Sequence, residues 1–321
     1  MKKIYISLAF VLCIFCVTTH AQQITRRTQF AFNPYLVNPA VAGTLNQIPI
    51  FVSYRNQWAG FKGAPTTMMA SAHAQGPKNS GYGAIISRDD TGGAITETGI
   101  ELTGAYHIDL NNYDAISFGL SLSASQYKFD NSKLVVYDPN DQSLNGMQSE
   151  AHMNIDANFG MLIYGEDYYF GFSVPQLIQT KLKLESPNTA DNRNMRHFQF
   201  MGSYKYYLSD DWDIQPSGFV KLTSVTPAQI DVNVKVGYKE TVWGGVTYRN
   251  KDAIALNLGG FYESFFLGYS YDITTSQAKV MSPHSHEILL GYIIPGKRGK
   301  YVARGALGPK ILKGGRVVKG G

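Results

Sequence analysis

The chain has 321 residues, of which 17% are charged, and a formal net charge of +5. Lys2, Lys3 and eight Lys or Arg residues after position 296 supply ten positive charges, so the stretch between them carries −5. Basicity confined to the two ends does not indicate a nucleic-acid partner, and we expect none. Such a length allows two domains or one large β-barrel.

Residues 1–21 have the pattern of a secretory signal peptide. A short basic start precedes an apolar run over residues 4–17, and a cleavage site follows at Ala21. The alternatives are a membrane anchor, for which the run is short, and a lipoprotein, for which a convincing lipidation box is missing. Both cysteines, Cys13 and Cys16, lie in this run. We therefore expect an exported chain stabilised without disulfides, for instance by a sheet closed on itself.

Residues 22–47 form a predicted N-terminal loop or plug segment. It contains two Asn-Pro steps, Asn33-Pro34 and Asn38-Pro39, and its loop closes on Gly43. Proline fixes its own φ and drives the preceding residue towards extended geometry, so ordered turns are expected rather than an α-helix.

The first strand is predicted over residues 48–58, where side chains alternate in character. One face carries Ile50, Val52 and Tyr54, and the other carries Phe51, Ser53, Arg55 and Gln57. The polar face predicts a polar interior that Arg55 and Gln57 line. We expect Trp58 at a membrane interface.

The same alternation continues to residue 294, which predicts a transmembrane antiparallel β-barrel of about fourteen strands over residues 48–294. Residues 115–129 are the clearest case, with an apolar face opposite a face of Ser and Gly, over a length suited to a tilted membrane strand. A soluble all-β protein is the alternative. Tyrosines crowd the predicted strand ends and indicate an aromatic girdle: Tyr164, Tyr168, Tyr169, Tyr206, Tyr207 and Tyr262.

The connections differ in length, which predicts orientation. Short turns are expected at 111–112, 165–166, 209–211 and 250–252, and long loops at 129–151, 175–195, 222–229 and 272–283. Short turns of such barrels face the periplasm. Residues 295–321 are Gly-rich, basic and unpatterned, which predicts a flexible tail that either is solvated or contacts anionic headgroups.

No residues form a catalytic set, a metal site or a cofactor site, and we expect no enzyme activity. His73, His107, His152 and His197 are scattered over different strands without a nucleophile motif. His284 and His286 have the spacing of two ligands on one strand face, but Glu287 points the other way. Residues 88–92 resemble half of a calcium loop without its later Glu, so an ordered turn is favoured.

Four sequence elements resemble those of the PorP/SprF family of type IX secretion. They are NPAVAG at 38–43, YRNQW at 54–58, GAPTT at 63–67 and HEI at 286–288. The resemblance covers residues from about 29 to 292, and it marks Asn38, Pro39, Gly43, Arg55, Gln57, Trp58, Pro65, His286 and Glu287 as candidate structural or interaction residues.

The resemblance implies a Bacteroidota outer-membrane barrel that serves type IX secretion or gliding motility. Its expected partners are outer-membrane lipid, a secreted surface adhesin or other cargo protein, and periplasmic subunits of the secretion system or linked to peptidoglycan. A barrel plugged by its N-terminal segment would dock such a protein. The alternative is a diffusion channel or transporter for small or hydrophobic solutes.

Overall fold

The chain forms one antiparallel sheet in the computed structural model, which describes residues 28–111, 113–133, 149–180, 194–224, 226–280, 282–295 and Leu307. The strands are β1 (Gln47–Asn56), β2 (Thr66–Gln75), β3 (Ser80–Thr91), β4 (Ile95–Asp109), β5 (Ala115–Phe129), β6 (Glu150–Tyr164), β7 (Tyr168–Val174), β8 (His197–Tyr204), β9 (Tyr206–Tyr207), β10 (Trp212–Thr223), β11 (Gln229–Tyr238), β12 (Val242–Arg249), β13 (Ala253–Tyr262), β14 (Phe265–Thr274) and β15 (His284–Pro295). No helix among the described residues is long and apolar enough to cross a membrane.

The sheet closes into a barrel. Each strand pairs with its neighbour in the chain, and β1 also pairs with β15 from Gln47 opposite Pro295 to Asn56 opposite His286. The segments β8 and β9 both pair with β10 and are separated by Lys205 alone, so they count as one strand. The prediction of an all-β barrel with fourteen strands is therefore confirmed. Closure leaves no unpaired sheet edge, which stabilises the barrel without disulfides.

Side chains alternate between the lumen and the outer surface as predicted. In β1, Phe51, Ser53 and Arg55 are buried, whereas Val52 and Tyr54 are exposed. The outer surface carries a dense set of exposed Leu, Ile, Val, Phe and Tyr residues, as a lipid-facing surface requires.

Two of the six girdle tyrosines were predicted wrongly. Tyr164 and Tyr169 are 3% and 0% exposed and point into the lumen. Each belongs to the inward-facing set of its strand, because the period-2 alternation continues to the strand end.

The two ends of the barrel differ in their connections. The turns at one end span at most five residues each, and we call it the short-turn end; β1 begins and β15 finishes there. The opposite, long-loop end carries the connections between β5 and β6 and between β7 and β8. Residues 250–252 connect β12 to β13 at the long-loop end, so the prediction that they share an end with the other short turns was wrong. Residues 88–91 belong to β3 rather than to the predicted turn.

Three short 3₁₀ helices precede β1: η1 (Thr28–Ala31), η2 (Pro34–Leu36) and η3 (Pro39–Val41). Pro34 and Pro39 open η2 and η3, where a missing N–H is harmless and a fixed φ is preorganised. These helices lie inside the barrel, where η3 contacts β4, β5 and β6 and η1 contacts β15. We call residues 28–46 the plug.

The hydrophobic core lies between the plug and the lumen wall. Large apolar side chains of the wall join buried plug residues there: Met69, Ile85, Leu162, Met201 and Phe219 with Phe30, Tyr35, Ala40, Val41 and Leu45. The lumen is thus partly apolar, whereas the sequence predicted a polar interior.

Candidate functional site: the plugged lumen

Asn38 fastens the plug to the barrel wall. Its side-chain Nδ2 donates to the carbonyl oxygens of Met161 (3.0 Å) and Phe172 (3.2 Å), on the paired strands β6 and β7. Its Oδ1 accepts from the backbone N–H of Ala40 (2.9 Å) and caps η3. Asn38 is 1% exposed, so each bond replaces a contact with water and contributes about 1 kcal/mol.

Lumen-facing glycines form the surface on which the plug rests. A Cβ built on Gly119 of β5 would collide with Pro39 and the amide nitrogen of Ala40. One on Gly160 of β6 would collide with Asn38 Oδ1, and one on Gly81 of β3 with the carbonyl of Ala42. Only glycine permits this approach of plug backbone to strand backbone.

Gly43 is the last residue of the NPAVAG segment of the plug and lies against the barrel wall, next to two histidines. Its φ of +81° favours glycine, and its Cβ position would lie 2.5 Å from Gly81 Cα. The N–H of Gly43 donates to His73 Nδ1 (3.3 Å). His107 Nε2 donates to the Ala42 carbonyl (2.9 Å), and its Nδ1 accepts from the Tyr164 hydroxyl (2.9 Å). Both histidines were predicted as scattered, but the closed sheet brings them to one loop.

Further hydrogen bonds hold the plug from other strands. Asn33 Nδ2 donates to Ser71 Oγ on β2 (2.9 Å), and the Tyr35 hydroxyl donates to Thr103 Oγ1 on β4 (2.8 Å). Ser173 Oγ on β7 donates to the Val37 carbonyl (2.7 Å). The plug is therefore bonded to several strands across the lumen, which gives it a single seated position.

Aromatic contacts hold the start of the plug. The ring of Phe32 stacks on Trp243 of β12 with centroids 3.8 Å apart, and Lys235 lies 5.4 Å from the Phe32 centroid. Phe30 packs against Phe219 of β10, with centroids 5.2 Å apart. These contacts bind the plug to the wall opposite β4–β7.

Arg55 joins the first and last strands inside the lumen. Its guanidinium donates to Glu287 Oε2 (3.0 Å) and Asp272 Oδ2 (2.8 Å), and all three side chains are at most 8% exposed. Arg55 and Glu287 are register partners in the β1–β15 pair that closes the barrel. The predicted interior position of Arg55 is confirmed.

A second buried arginine extends this ion-pair cluster. Arg249 lies 3.0 Å from Asp252, 3.4 Å from Asp231 and 3.6 Å from Asp272. Asp272 thus contacts both arginines. Neither Arg249 nor Asp231 was predicted as a site residue. The available signal was that both side chains fall on the inward-facing side of their alternating strands.

Gln57, Trp58 and Pro65 lie in the β1–β2 connection at the long-loop end. Gln57 N–H donates to the Pro65 carbonyl (2.9 Å), and Trp58 N–H donates to Ser285 Oγ on β15 (2.9 Å). Trp58 has a φ of +56° and lines the lumen cavity together with Gln57 and Pro65. Its predicted position at the lipid interface was therefore wrong, because the chain turns inward directly after β1.

A cavity of about 720 Å³ occupies the lumen on the long-loop side of the plug. Residues 35–39 of the plug form part of its lining, with Met69 and Ile85 of the wall. Polar side chains of β3–β6 make up much of the remaining lining, among them Asp89, Glu97 and Asp156. The cavity falls within the usual size range of small-ligand sites.

A smaller cavity of about 70 Å³ lies on the other side of the plug. Lys205, Lys235, Asp213 and Glu240 contribute to its lining, and Lys205 Nζ lies 3.0 Å from Glu240 Oε1. Leu307, which with Pro295 is described from the predicted tail, is 5% exposed and packs into the same region.

His286 lies on the outer face, where the Tyr269 hydroxyl is 2.7 Å from its Nδ1. His284 stands beside it, with ring centroids 5.7 Å apart. Glu287 faces the lumen, as predicted. Among the described residues, no group of three or more His, Cys, Asp or Glu side chains is placed to hold a metal ion.

The sequence profile of the family described as "Type IX secretion system membrane protein PorP/SprF" matches residues 19–292. The chain belongs to the PorP/SprF family. A comparison with curated proteins found no match. The matched range includes the plug, β1, most of β15 and the candidate residues described above.

Solved barrels resemble this PorP/SprF protein in fold at low sequence identity. The CymD monoaromatic hydrocarbon channel is 11% identical with a TM-score of 0.49, covering 86% of this chain and 95% of its own. The toluene transporter TbuX of Ralstonia pickettii is 8% identical with a TM-score of 0.48, covering 83% and 94%. The KdgM porin is 12% identical with a TM-score of 0.38, covering 76% and 98%.

The family, together with the closed barrel of this chain, places the protein in the outer membrane as a β-barrel of the type IX secretion system. The residues that carried the resemblance have structural roles here. NPAVAG is the part of the plug that rests on the lumen glycines, and Arg55 of YRNQW pairs with Glu287 of HEI.

Proposed function

We propose that this PorP/SprF protein is a docking component that helps to export and anchor a secreted surface protein, such as an adhesin. The observation that carries the proposal is the seated plug: residues 28–46 cross the lumen and are bonded to strands on several sides. A barrel closed in this way offers its two end surfaces to other proteins, whereas an open channel needs a free lumen.

The long-loop end is the docking surface for the secreted protein in this proposal. Long loops of outer-membrane barrels face the cell exterior, and the longest connections here leave β5 and β7 at that end. The short-turn end, where β1 begins and β15 ends, would then face periplasmic subunits of the secretion system. No catalytic step is part of the proposal.

Affinity purification tests the docking role. The protein is purified from detergent-solubilised outer membranes of its own cells, and the bound proteins are identified by mass spectrometry. Recovery of a large secreted surface protein, or of periplasmic secretion subunits, is expected. The matched control is another outer-membrane barrel of the same cells that carries the same tag.

Deletion of the gene provides the second readout. Loss of one surface protein from the cell, with normal uptake of small solutes, is the expected phenotype. A barrel purified without partners, together with altered solute uptake in the deletion strain, would contradict docking and support the channel alternative.

A further inference from the structure

Among the described residues, the charged side chains that line the cavity of about 720 Å³ are all acidic. Four carboxylates contribute to it from three strands: Asp89 of β3, Glu97 and Glu101 of β4, and Asp156 of β6. No Lys or Arg is among the described residues that line it. Arg55 and Arg249 belong to the separate ion-pair cluster with Asp272 and Glu287. The cavity thus concentrates negative potential within low-dielectric walls.

Unpartnered acceptor atoms point to a missing donor. Asp156 is 3% exposed; its Oδ1 accepts from the N–H groups of Ala157 (2.8 Å) and Ile178 (2.9 Å), but its Oδ2 has no partner among the described residues. Asn154 is 6% exposed, and its Oδ1 also lacks a partner, as does the buried Oε1 of Gln176. All three residues line the cavity. Buried acceptors of this kind are stabilised only when a donor reaches them.

The chemistry of the lining favours an organic cation. Ammonium and guanidinium groups carry several N–H donors and a positive charge, so they satisfy carboxylate and amide oxygens together. A bare metal ion fits less well, since no group of three His, Cys, Asp or Glu side chains among the described residues is arranged to coordinate one.

The apolar part of the lining fits the carbon chain of such a ligand. Leu36 and Pro39 of the plug and Met69, Ile85 and Ile95 of the wall contribute to the same cavity. Methylene groups between charged groups would pack against these side chains, as the stems of lysine and arginine do on protein surfaces.

We propose that the cavity binds an organic ligand carrying ammonium or guanidinium groups, held by Asp156, Glu97 and the neighbouring acceptor oxygens. The ligand is either a free polyamine or the Lys and Arg side chains of a peptide. This inference does not rest on the docking role proposed above. Its failure would leave that role untouched.

Binding to the purified full chain in detergent tests the proposal. The two probes are spermidine and a dye-labelled tri-arginine amide, and a tri-citrulline amide with the same dye is the uncharged control. Saturable binding that weakens with salt is expected for at least one cationic probe. Comparison of the two probes distinguishes the sources. Binding of spermidine but not of the tri-arginine amide indicates a polyamine site, and binding of the tri-arginine amide but not of spermidine indicates a peptide site.

Variants of the lining locate the site. Asp156→Asn removes the charge but keeps an oxygen that accepts from the Ile178 N–H. The double variant Asp156→Asn/Glu97→Gln should weaken binding about tenfold or more, because the ligand loses hydrogen bonds to two charged groups. Glu263→Gln removes an exposed carboxylate at the short-turn end and should leave affinity unchanged. Resistance to unfolding on unheated gels verifies that each barrel is folded.

Two results would overturn the proposal. One is the absence of saturable binding for both cationic probes. The other is equal affinity of the double variant, Glu263→Gln and the unmodified chain, which would place any binding outside the cavity.

Discussion

At the scale of single residues, Arg55 shows how a buried charge can be both stabilising and specific. It contacts Glu287 and Asp272 at 3.0 and 2.8 Å with almost no solvent access. Taking three charges from water is costly, and their attraction roughly offsets that cost when the geometry is good. Because Arg55 and Glu287 lie on the two strands that close the barrel, the pair also fixes the register of closure.

We predict that Arg55→Ala lowers the free energy of unfolding by about 3–5 kcal/mol, since it leaves two buried carboxylates without this partner. Urea unfolding of the barrel in lipid vesicles measures the effect. In Arg55→Ala/Glu287→Gln the loss should be smaller than the sum of the two single losses, because the second change removes one of those charges.

The exposed pair of Lys239 and Asp211, 4.0 Å apart, supplies the control. Lys239→Ala should lower the free energy of unfolding far less than Arg55→Ala does, because water screens such pairs. Similar losses for Arg55→Ala and Lys239→Ala would show that burial does not set the strength of the Arg55 contacts.

At the scale of elements, the fit between the plug and its glycines limits what the wall strands can carry. The strands β3, β5 and β6 each place a glycine under the NPAVAG loop. At Gly119 and Gly81 an added side chain would collide with plug backbone rather than with a flexible side-chain end, so the strain has little room to relax.

Gly119→Ala should therefore lower the free energy of unfolding by about 1–3 kcal/mol. The matched control is Gly104→Ala on β4, where an added Cβ has no heavy atom within 4 Å. It should remain within about 0.5 kcal/mol of the unmodified chain. Urea midpoints of the two variants, measured in the same vesicles, check the difference, and equal midpoints would contradict the role of Gly119 in seating the plug.

Sequence reasoning identified the strands because period-2 alternation is a local signal. The alternation within each strand placed the side chains of Arg55 and Glu287 in the lumen. Their contact could not be predicted, because it depends on how the first and last strands align, and the two positions are 232 residues apart in the chain. The glycines of β5 and β6 were noted as part of a small polar face. Their contact with Asn38 and Pro39 depends on the seated plug, which no local pattern specifies.

Side-chain direction at strand ends was harder to predict for a similar reason. Tyr164, Tyr169 and Trp58 were assigned to the lipid interface because aromatic residues are common there. The alternation of β6 and β7 turns both tyrosines inward, and the positive φ of Trp58 turns the chain after β1. Composition indicates a girdle, but phase and backbone geometry decide which residues belong to it.

At the scale of the whole molecule, we expect the plug to decide whether the barrel conducts. It separates the cavity of about 720 Å³ from the smaller one near the short-turn end. A fourteen-stranded barrel with an empty lumen would have room for an aqueous path, as larger barrels do. The unmodified protein should therefore show no large constitutive conductance in planar lipid bilayers.

Unseating the plug should produce such a conductance. Asn38→Asp replaces the donor to the carbonyls of Met161 and Phe172 with a carboxylate oxygen, which they repel. Asn33→Asp is the matched control: it also buries a carboxylate in the plug, but Ser71 Oγ can rotate and donate to it. Frequent large channel openings are expected for Asn38→Asp, and rare openings for Asn33→Asp.

Deletion of residues 28–41 removes most of the plug and sets the upper limit of the conductance. Large openings of the unmodified protein, equal to those of the deletion, would show that the plug does not close the barrel.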